Sequence, residues 1–181
     1  LDSVSEEECY QLLSITGGER LTPLHMSCYE GDTESLRVML YHINQDMRYS
    51  LLQMTNNDGD TLLHVASYKR HIDVSKVIHE SVTLTQWTNL LQLKGWEQMA
   101  VLQYAAYDDK QSCIDTIRDS VSDEVWLQLV STPPEYNEVH QYNDDFYQGA
   151  VDMIDELRAA ARVKSVLQTE NISGILSCHD P

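Results

Sequence analysis

Pairs of apolar residues recur along this chain at a constant spacing of 39 positions, and each pair follows a polar residue that is typical of helix starts. The short oxygen-bearing side chains of such residues accept hydrogen bonds from the free N–H groups of a first helical turn. Apolar positions in register behind them give one buried face over about two turns. The pattern therefore predicts four short helices, which begin at Ser5, Asn44, Thr83 and Ser122 and carry Leu12 with Leu13, Leu51 with Leu52, Leu90 with Leu91, and Leu129 with Val130.

When the chain is written in rows of 39 residues, two further helices are predicted within each row. The first full row shows them. Pro23 stands at a first-turn position, where its missing N–H costs nothing, and predicts a helix over about 22–30. A second helix is predicted over about 32–41, and the capped helix that follows covers about 44–54. The polar run 56–60 is a strong turn signal that leads into the next row. The sequence thus predicts an all-α stack with about three helices per row and no strand of useful length.

The same period is visible in two other features. The tetrad 22–25 (Thr-Pro-Leu-His) recurs at 61–64 (Thr-Leu-Leu-His) and weakly at 100–103, and an aromatic column contains Tyr29, Tyr68, Tyr107 and Phe146. Aromatic residues make up 8% of the chain, so chance gives such a column roughly 4 times in 100,000. The rows predict a partial repeat or N-terminal cap at 1–18, repeats at 19–57, 58–96 and 97–135, a divergent repeat at 136–174, and a tail at 175–181.

The tetrads, together with Gly31 and the segment 58–66, resemble the ankyrin repeat, a helix pair with a turn or hairpin at one edge. This resemblance implies an ankyrin-type helical solenoid of about four repeats. The family's period is 33, so each row carries six extra residues, for which the capped third helix supplies a place.

The resemblance also implies roles for single residues. In the family the threonine caps the first helix and the histidine ring ties adjacent backbone segments together, which implies structural roles for Thr22, His25, Thr61 and His64. Gln103 and Tyr142 stand at the matching places and are expected to make different hydrogen bonds. Gly31 is replaced in register by Arg70, Asp109 and Gln148. If these turns keep a left-handed residue, Arg70 and Gln148 are strained there.

Composition narrows the classes of partner. The net charge is −17, from 29 acidic against 12 basic residues, and such a charge opposes binding to nucleic acid and to anionic membranes. The acidity fits a basic partner, and it equally fits the solubility of an elongated protein. The four cysteines show neither metal-type pairs nor a disulfide framework, and no apolar run approaches the length of a membrane span. We expect a cytoplasmic (intracellular) protein without direct membrane contact.

The spacing of the candidate catalytic and metal-binding residues does not suit a catalytic or metal site, so neither an enzyme nor a cofactor is predicted. His71 and His79 are eight positions apart, about two helical turns, which is too far for one metal ion. The consecutive residues 177–180 (Ser-Cys-His-Asp) cannot place nucleophile, base and orienting group as a triad requires. Asp144 and Asp145 point in different directions on a helix, and the chain has no glycine-rich phosphate loop.

The aromatic column carries the functional hypothesis. In ankyrin-like repeats the two residues before the glycine between the helices face the concave groove, and acidic residues such as Asp58 and Asp60 flank that surface here. One interpretation is that the rings pack together as a structural spine; the other is that they bind Lys or Arg side chains through cation–π contacts and charge pairing. The predicted partner-binding residues are Tyr29, Glu30, Asp58, Asp60, Tyr68, Lys69, Tyr107, Asp108, Phe146 and Tyr147.

The leading hypothesis is a non-catalytic interaction module that binds a protein or a basic peptide segment on its concave face. The alternative is an internal segment of a larger ankyrin scaffold, or of the cytoplasmic arm of a membrane protein, without a ligand of its own. The sequence predicts neither the partner's identity nor the oligomeric state.

Overall fold

A computed structural model describes residues 4–106, 111–132 and 151–164 of the chain. Several residues singled out above lie outside the described residues, namely Tyr107, Asp108, Asp109, Tyr142, Asp144, Asp145, Phe146, Tyr147, Gln148 and the segment 177–180. The described helices with named bounds are α1 (Glu6–Leu13), α2 (Pro23–Glu30), α3 (Thr33–Tyr41), α4 (Gln45–Leu52), α5 (Leu62–Lys69), α6 (Ile72–Glu80), α7 (Leu84–Gln92), α8 (Val101–Ala106), α9 (Gln111–Asp119) and α10 (Asp123–Ser131).

The prediction of an all-α fold is confirmed. In the described part of the chain, extended pairing is limited to two isolated bridges, Thr55 with Thr61 and Lys94 with Ala100. Two short 3₁₀ turns, Gly18–Arg20 and Trp96–Gln98, precede α2 and α8. Residues 151–164 are helical as well. None of the described helices combines the length and the apolar character that crossing a membrane requires.

All four predicted helix starts are caps in the structure. The side chains of Asn44, Thr83 and Ser122 accept hydrogen bonds from backbone N–H groups three residues later, at 3.1, 3.2 and 3.3 Å. Ser5 accepts the N–H of Glu8 at 3.2 Å, and the Glu8 carboxylate accepts the N–H of Ser5 in return. These caps place α1, α4, α7 and α10 at equivalent positions, so each set of three described helices closes with a capped helix.

The helices stack in parallel rows. The first helices of successive repeats pack on their neighbours, α2 on α5 and α5 on α8. The second helices do the same, α3 on α6 and α6 on α9. The third helices are joined by α7 packing on α10 and by a hydrogen bond of 3.1 Å from Gln45 Nε2 to Gln86 Oε1. Burial of leucines in register, such as Leu51 and Leu90, fills the space between layers. Stability in this arrangement comes from interfaces between neighbouring repeats.

The first capped helix departs from the predicted burial. Leu12 is 57% exposed, whereas its counterparts Leu51 and Leu90 are each 1% exposed. Helix α1 is the first layer of the described stack, so Leu12 has one neighbouring layer where Leu51 and Leu90 lie between two. The apolar register of α1 is therefore present in the sequence but is not buried.

At the other end of the described stack, the helical segment 151–164 covers α10. Arg158 Nε donates to the carbonyl oxygen of Val130 at 2.8 Å, near the end of α10, where backbone acceptors lack partners within the helix. Lys164 Nζ lies 3.0 Å from Asp123 Oδ1 in the first turn of α10. Ile154 is 1% exposed and extends the apolar core into this segment.

Candidate functional site

Three loops that share one closing backbone hydrogen bond form the first wall of the site. Each is closed by a backbone hydrogen bond across five residues: Gly17 to Leu21 at 2.9 Å, Asn56 to Asp60 at 3.0 Å, and Gly95 to Met99 at 2.8 Å. Arg20, Gly59 and Gln98 occupy the same place in these loops, with φ of 57°, 85° and 60°. The loops therefore keep a left-handed residue at this place even where the sequence does not supply glycine.

The polar side chain of Asn56 fixes the second loop. Its Oδ1 accepts the N–H groups of Asp58 and Asp60, each at 2.9 Å, as asparagine does in turns. The N–H of Asn57 donates to the carbonyl oxygen of Glu19 at 2.9 Å, which ties the second loop to the first. Asp58 is thereby held at the exposed edge of the loop.

A cleft of about 540 Å³ lies between these loops and the inner helices α2, α5 and α8. Five of the predicted partner-binding residues meet in it: Tyr29, Asp58, Asp60, Tyr68 and Lys69. Glu30 is exposed at the end of α2 and does not line the cleft. The full lining is Glu19, Leu21, His25, Tyr29, Asn56, Asp58, Asp60, Val65, Tyr68, Lys69, Trp96, Met99 and Tyr104.

The two tyrosines of the column present open ring surface. Tyr29 and Tyr68 hold equivalent positions near the ends of α2 and α5 and are 49% and 52% exposed. The Nζ atom of Lys69 lies 3.8 Å from the ring centroid of Tyr29 and 5.4 Å from that of Tyr68. Both distances fall within the range of cation–π attraction. The rings are thus not a buried spine, and a cation from the chain itself lies against them.

Asp60 differs from the free rim charge that the sequence suggested. Its Oδ1 accepts the N–H of Trp96, in the loop that leads into α8, at 2.8 Å, and the hydroxyl of Tyr104, which belongs to the next repeat. Burial raises the pKa of the Asp60 carboxyl, and these two hydrogen bonds act in the opposite direction. A Cβ at Gly95 would collide with Asp60 Oδ1, so the glycine permits the close approach. Asp60 therefore joins two repeats, and Asp58 is the exposed acid of this loop.

Two aromatic residues of the cleft, Tyr104 and Trp96, were not predicted from the sequence as site residues. Tyr104 is 6% exposed and stands in register with Val65 and Met26, while Trp96 stands in register with Asn57. Burial and, after it, the hydrogen bond to Asp60 raise the pKa of the Tyr104 hydroxyl, which stays protonated. The available signal was the change to an aromatic residue at positions where the preceding rows have none.

The threonine and histidine of the first two tetrads have the structural roles that the resemblance implied. His25 Nδ1 lies 2.8 Å from Thr22 Oγ1, and His64 Nδ1 lies 2.8 Å from Thr61 Oγ1. His64 Nε2 lies 3.1 Å from the carbonyl oxygen of Met99, so the ring links its helix to the following loop. Burial lowers the pKa of His64 to about 4, and the pKa of His25 is lowered for the same reason.

Gln103 reproduces part of this arrangement. Its Oε1 accepts the N–H of Ala100 at 2.6 Å, the same cap bond that His64 Nδ1 makes with the N–H of Thr61 at 3.2 Å. The expectation that Gln103 forms different bonds is wrong for this cap contact, because an amide oxygen can accept where a neutral imidazole nitrogen accepts.

The two histidines considered for a metal site serve separate contacts. His71 Nε2 lies 3.1 Å from the carbonyl oxygen of Tyr29, and the ring of His79 packs on that of Trp87 with centroids 4.9 Å apart. Gly31, with φ of 74°, gives the ring of His71 room beside α2, and Arg70 adopts the same left-handed conformation with φ of 63°. Because the turn keeps a left-handed residue, the strain expected for a non-glycine residue at this place applies to Arg70.

Comparison with known proteins agrees with this architecture. Residues 4–86 match a family model described as ankyrin repeats in three copies. No curated protein and no solved structure was found to match the chain. The match does not address the additional capped helix, which is a feature of the structure.

Proposed function

We propose that this chain, which contains an ankyrin-repeat array, is a non-catalytic module that binds a basic peptide segment of another protein in the cleft. Ankyrin repeats are generally protein-interaction modules and are typically non-enzymatic. The observation that carries the finer proposal is the convergence of Tyr29, Tyr68 and Asp58 on one open cleft. An intracellular location stays a prediction from the cysteine composition.

The chemistry of the cleft suits a peptide with Lys or Arg side chains. Half-exposed tyrosine rings offer rigid apolar contact and a negative ring face for a cation, and aromatic residues of this kind tend to carry interface energy. Glu19 and Asp58 are exposed acids on the same lining. The net charge of −17 adds a long-range field that speeds the encounter with basic partners.

The test is a peptide-library screen, followed by titration of a selected peptide against the native chain and three variants. Tyr29→Ala and Tyr68→Ala should each weaken binding by more than about 1 kcal/mol with the fold intact, because each removes a central aromatic contact. Tyr41→Ala is the matched control, since Tyr41 is 79% exposed and lines a different cleft beside Arg37. Its binding should equal that of the native chain.

The exposed acid gives an independent readout. Asp58→Lys should mainly slow association and flatten its dependence on salt, because a rim charge steers the encounter more than it holds the complex. Titration at two salt concentrations measures this effect. Selection of acidic peptides, or binding that neither tyrosine truncation changes, would reject the proposal. A screen without any bound peptide would favour the alternative of a scaffold segment without its own ligand.

A further inference from the structure

Lys69 is the only Lys or Arg among the described residues that line the cleft. It is the last residue of α5, and its counterpart in the preceding repeat is Glu30. The side chain extends toward that repeat, so that its ammonium lies over the ring of Tyr29 and within range of Tyr68. An acid and a base at equivalent positions show that the repeats differ just where the cleft opens.

The contacts of Lys69 are those of a bound cation. Its Nζ is 3.8 Å from the centroid of the Tyr29 ring, and no carboxylate of the described residues forms an ion pair with it. The ring face therefore supplies the attraction, and the side chain is partly exposed to water. A contact of this kind is weak and exchangeable.

We propose that Lys69 occupies the subsite of a lysine ammonium from the bound peptide and must be displaced when the peptide binds. This inference rests on the proposed function and names the side chain that the subsite accepts. The subsite already holds a primary ammonium between two tyrosine rings, with Asp58 and Glu19 on the same lining to attract a second one. Lys69 thus acts as an internal competitor that lowers affinity.

The size of the effect follows from the contact that is lost. An exposed cation–π contact corresponds to a factor of about two to five in an equilibrium constant. Removal of the competing ammonium in Lys69→Gln should therefore tighten lysine-peptide binding about two- to five-fold. Lys69→Arg keeps a cation at the same place and should leave the affinity close to the native value.

The probe is a fluorescein-labelled pentalysine peptide, titrated by fluorescence polarisation at about 0.15 M salt, where the screening length is about 8 Å. Lys76→Gln is the matched control, because it removes the same charge from α6. Lys76 pairs with Asp73 at 3.1 Å and does not line the cleft. Circular dichroism verifies that each variant keeps the helical content of the native chain.

Tighter binding by Lys69→Gln together with native-like binding by Lys76→Gln supports the inference. Equal tightening by both variants reflects overall charge and overturns it, as does unchanged or weaker binding by Lys69→Gln. In that case the proposed function still stands if Tyr29→Ala and Tyr68→Ala weaken pentalysine binding. Pentalysine binding that ignores both tyrosines overturns the proposed function and this inference with it.

Discussion

Gly31 is the position at which a single methyl group has the most specific expected effect. Its φ is 74°, and a Cβ there would lie 2.6 Å from Nδ1 and 2.7 Å from Cε1 of the His71 ring. Gly59 is a close match in conformation, with φ of 85°, but its Cβ would meet nothing nearer than 3.8 Å. The pair Gly31→Ala and Gly59→Ala therefore separates backbone strain from collision with His71.

The magnitudes follow from these two costs. An L-residue in the left-handed region costs about 1–2 kcal/mol, and the lower entropy of the unfolded chain offsets about 0.4–1 kcal/mol, so Gly59→Ala should lose about 1 kcal/mol of unfolding free energy. Gly31→Ala must also displace the His71 ring from its contact at 3.1 Å with the Tyr29 carbonyl. The lost hydrogen bond and the crowding add about 1–3 kcal/mol, for a total of about 2–4 kcal/mol.

Urea denaturation followed by circular dichroism measures both free energies of unfolding. The double variant Gly31→Ala with His71→Ala should show a favourable coupling of at least about 1 kcal/mol, because the collision disappears when the ring is removed. Equal losses for Gly31→Ala and Gly59→Ala, or a coupling near zero, would refute the assignment of the glycine to the His71 contact.

Three further predictions concern buried or partly buried residues. Leu63→Ala should lose about 2–5 kcal/mol of unfolding free energy, and Thr61→Ala about 1 kcal/mol, since a core cavity costs more than a cap; reversed effects in urea melts would contradict the register. Asp60→Ala should lose about 1–3 kcal/mol in the same melts because it removes the hydrogen bonds from the Trp96 N–H and the Tyr104 hydroxyl, whereas a loss no greater than that of Asp58→Ala would show that the link between repeats is unimportant. Burial holds the pKa of folded His64 near 4 against 6.5 for the free side chain, so the unfolded chain alone takes up a proton between these values. The free energy of unfolding should therefore be fully present above pH 6.5 and fall by on the order of 3 kcal/mol as the pH falls to about 4. His64→Gln should remove most of that decrease. Urea melts that give the native chain the same free energy of unfolding at both pH values would contradict the prediction.

The local chemistry of the sequence was enough to predict the helices and the tyrosine column. Caps such as Asn44 and Thr83 act within three residues of themselves, so their role can be read from the sequence alone. Tyr29 and Tyr68 keep one register in two repeats, and their meeting in the cleft follows from the stacking of α2 on α5. The family resemblance supplied the direction in which these residues face.

Contacts between residues distant in the chain could not be predicted from the local sequence. Asp60 contacts Trp96 and Tyr104, which lie 36 and 44 positions later, and nothing in its own segment distinguishes it from the exposed Asp58. The left-handed conformation of the loops has glycine only at Gly59, while Gln98 adopts the same conformation without a sequence signal. In both cases the tertiary environment decides the outcome against the local preference of the residue: the hydrogen bonding of Asp60 and the backbone conformation of Gln98.

Under the proposed function, the specificity of the cleft is expected to arise where the repeats differ. The backbone of the three loops and the tyrosines of α2 and α5 are nearly copied from one repeat to the next, and a copied surface alone would offer similar chemistry in each row. Three in-register changes break that uniformity: Glu30 to Lys69, Leu21 to Asp60, and Val65 to Tyr104. The first places a cation over a ring, and the other two create the partly buried pair that joins neighbouring repeats. If the cleft binds a peptide as proposed, the repeat supplies a common frame and these departures from it determine which peptide is bound.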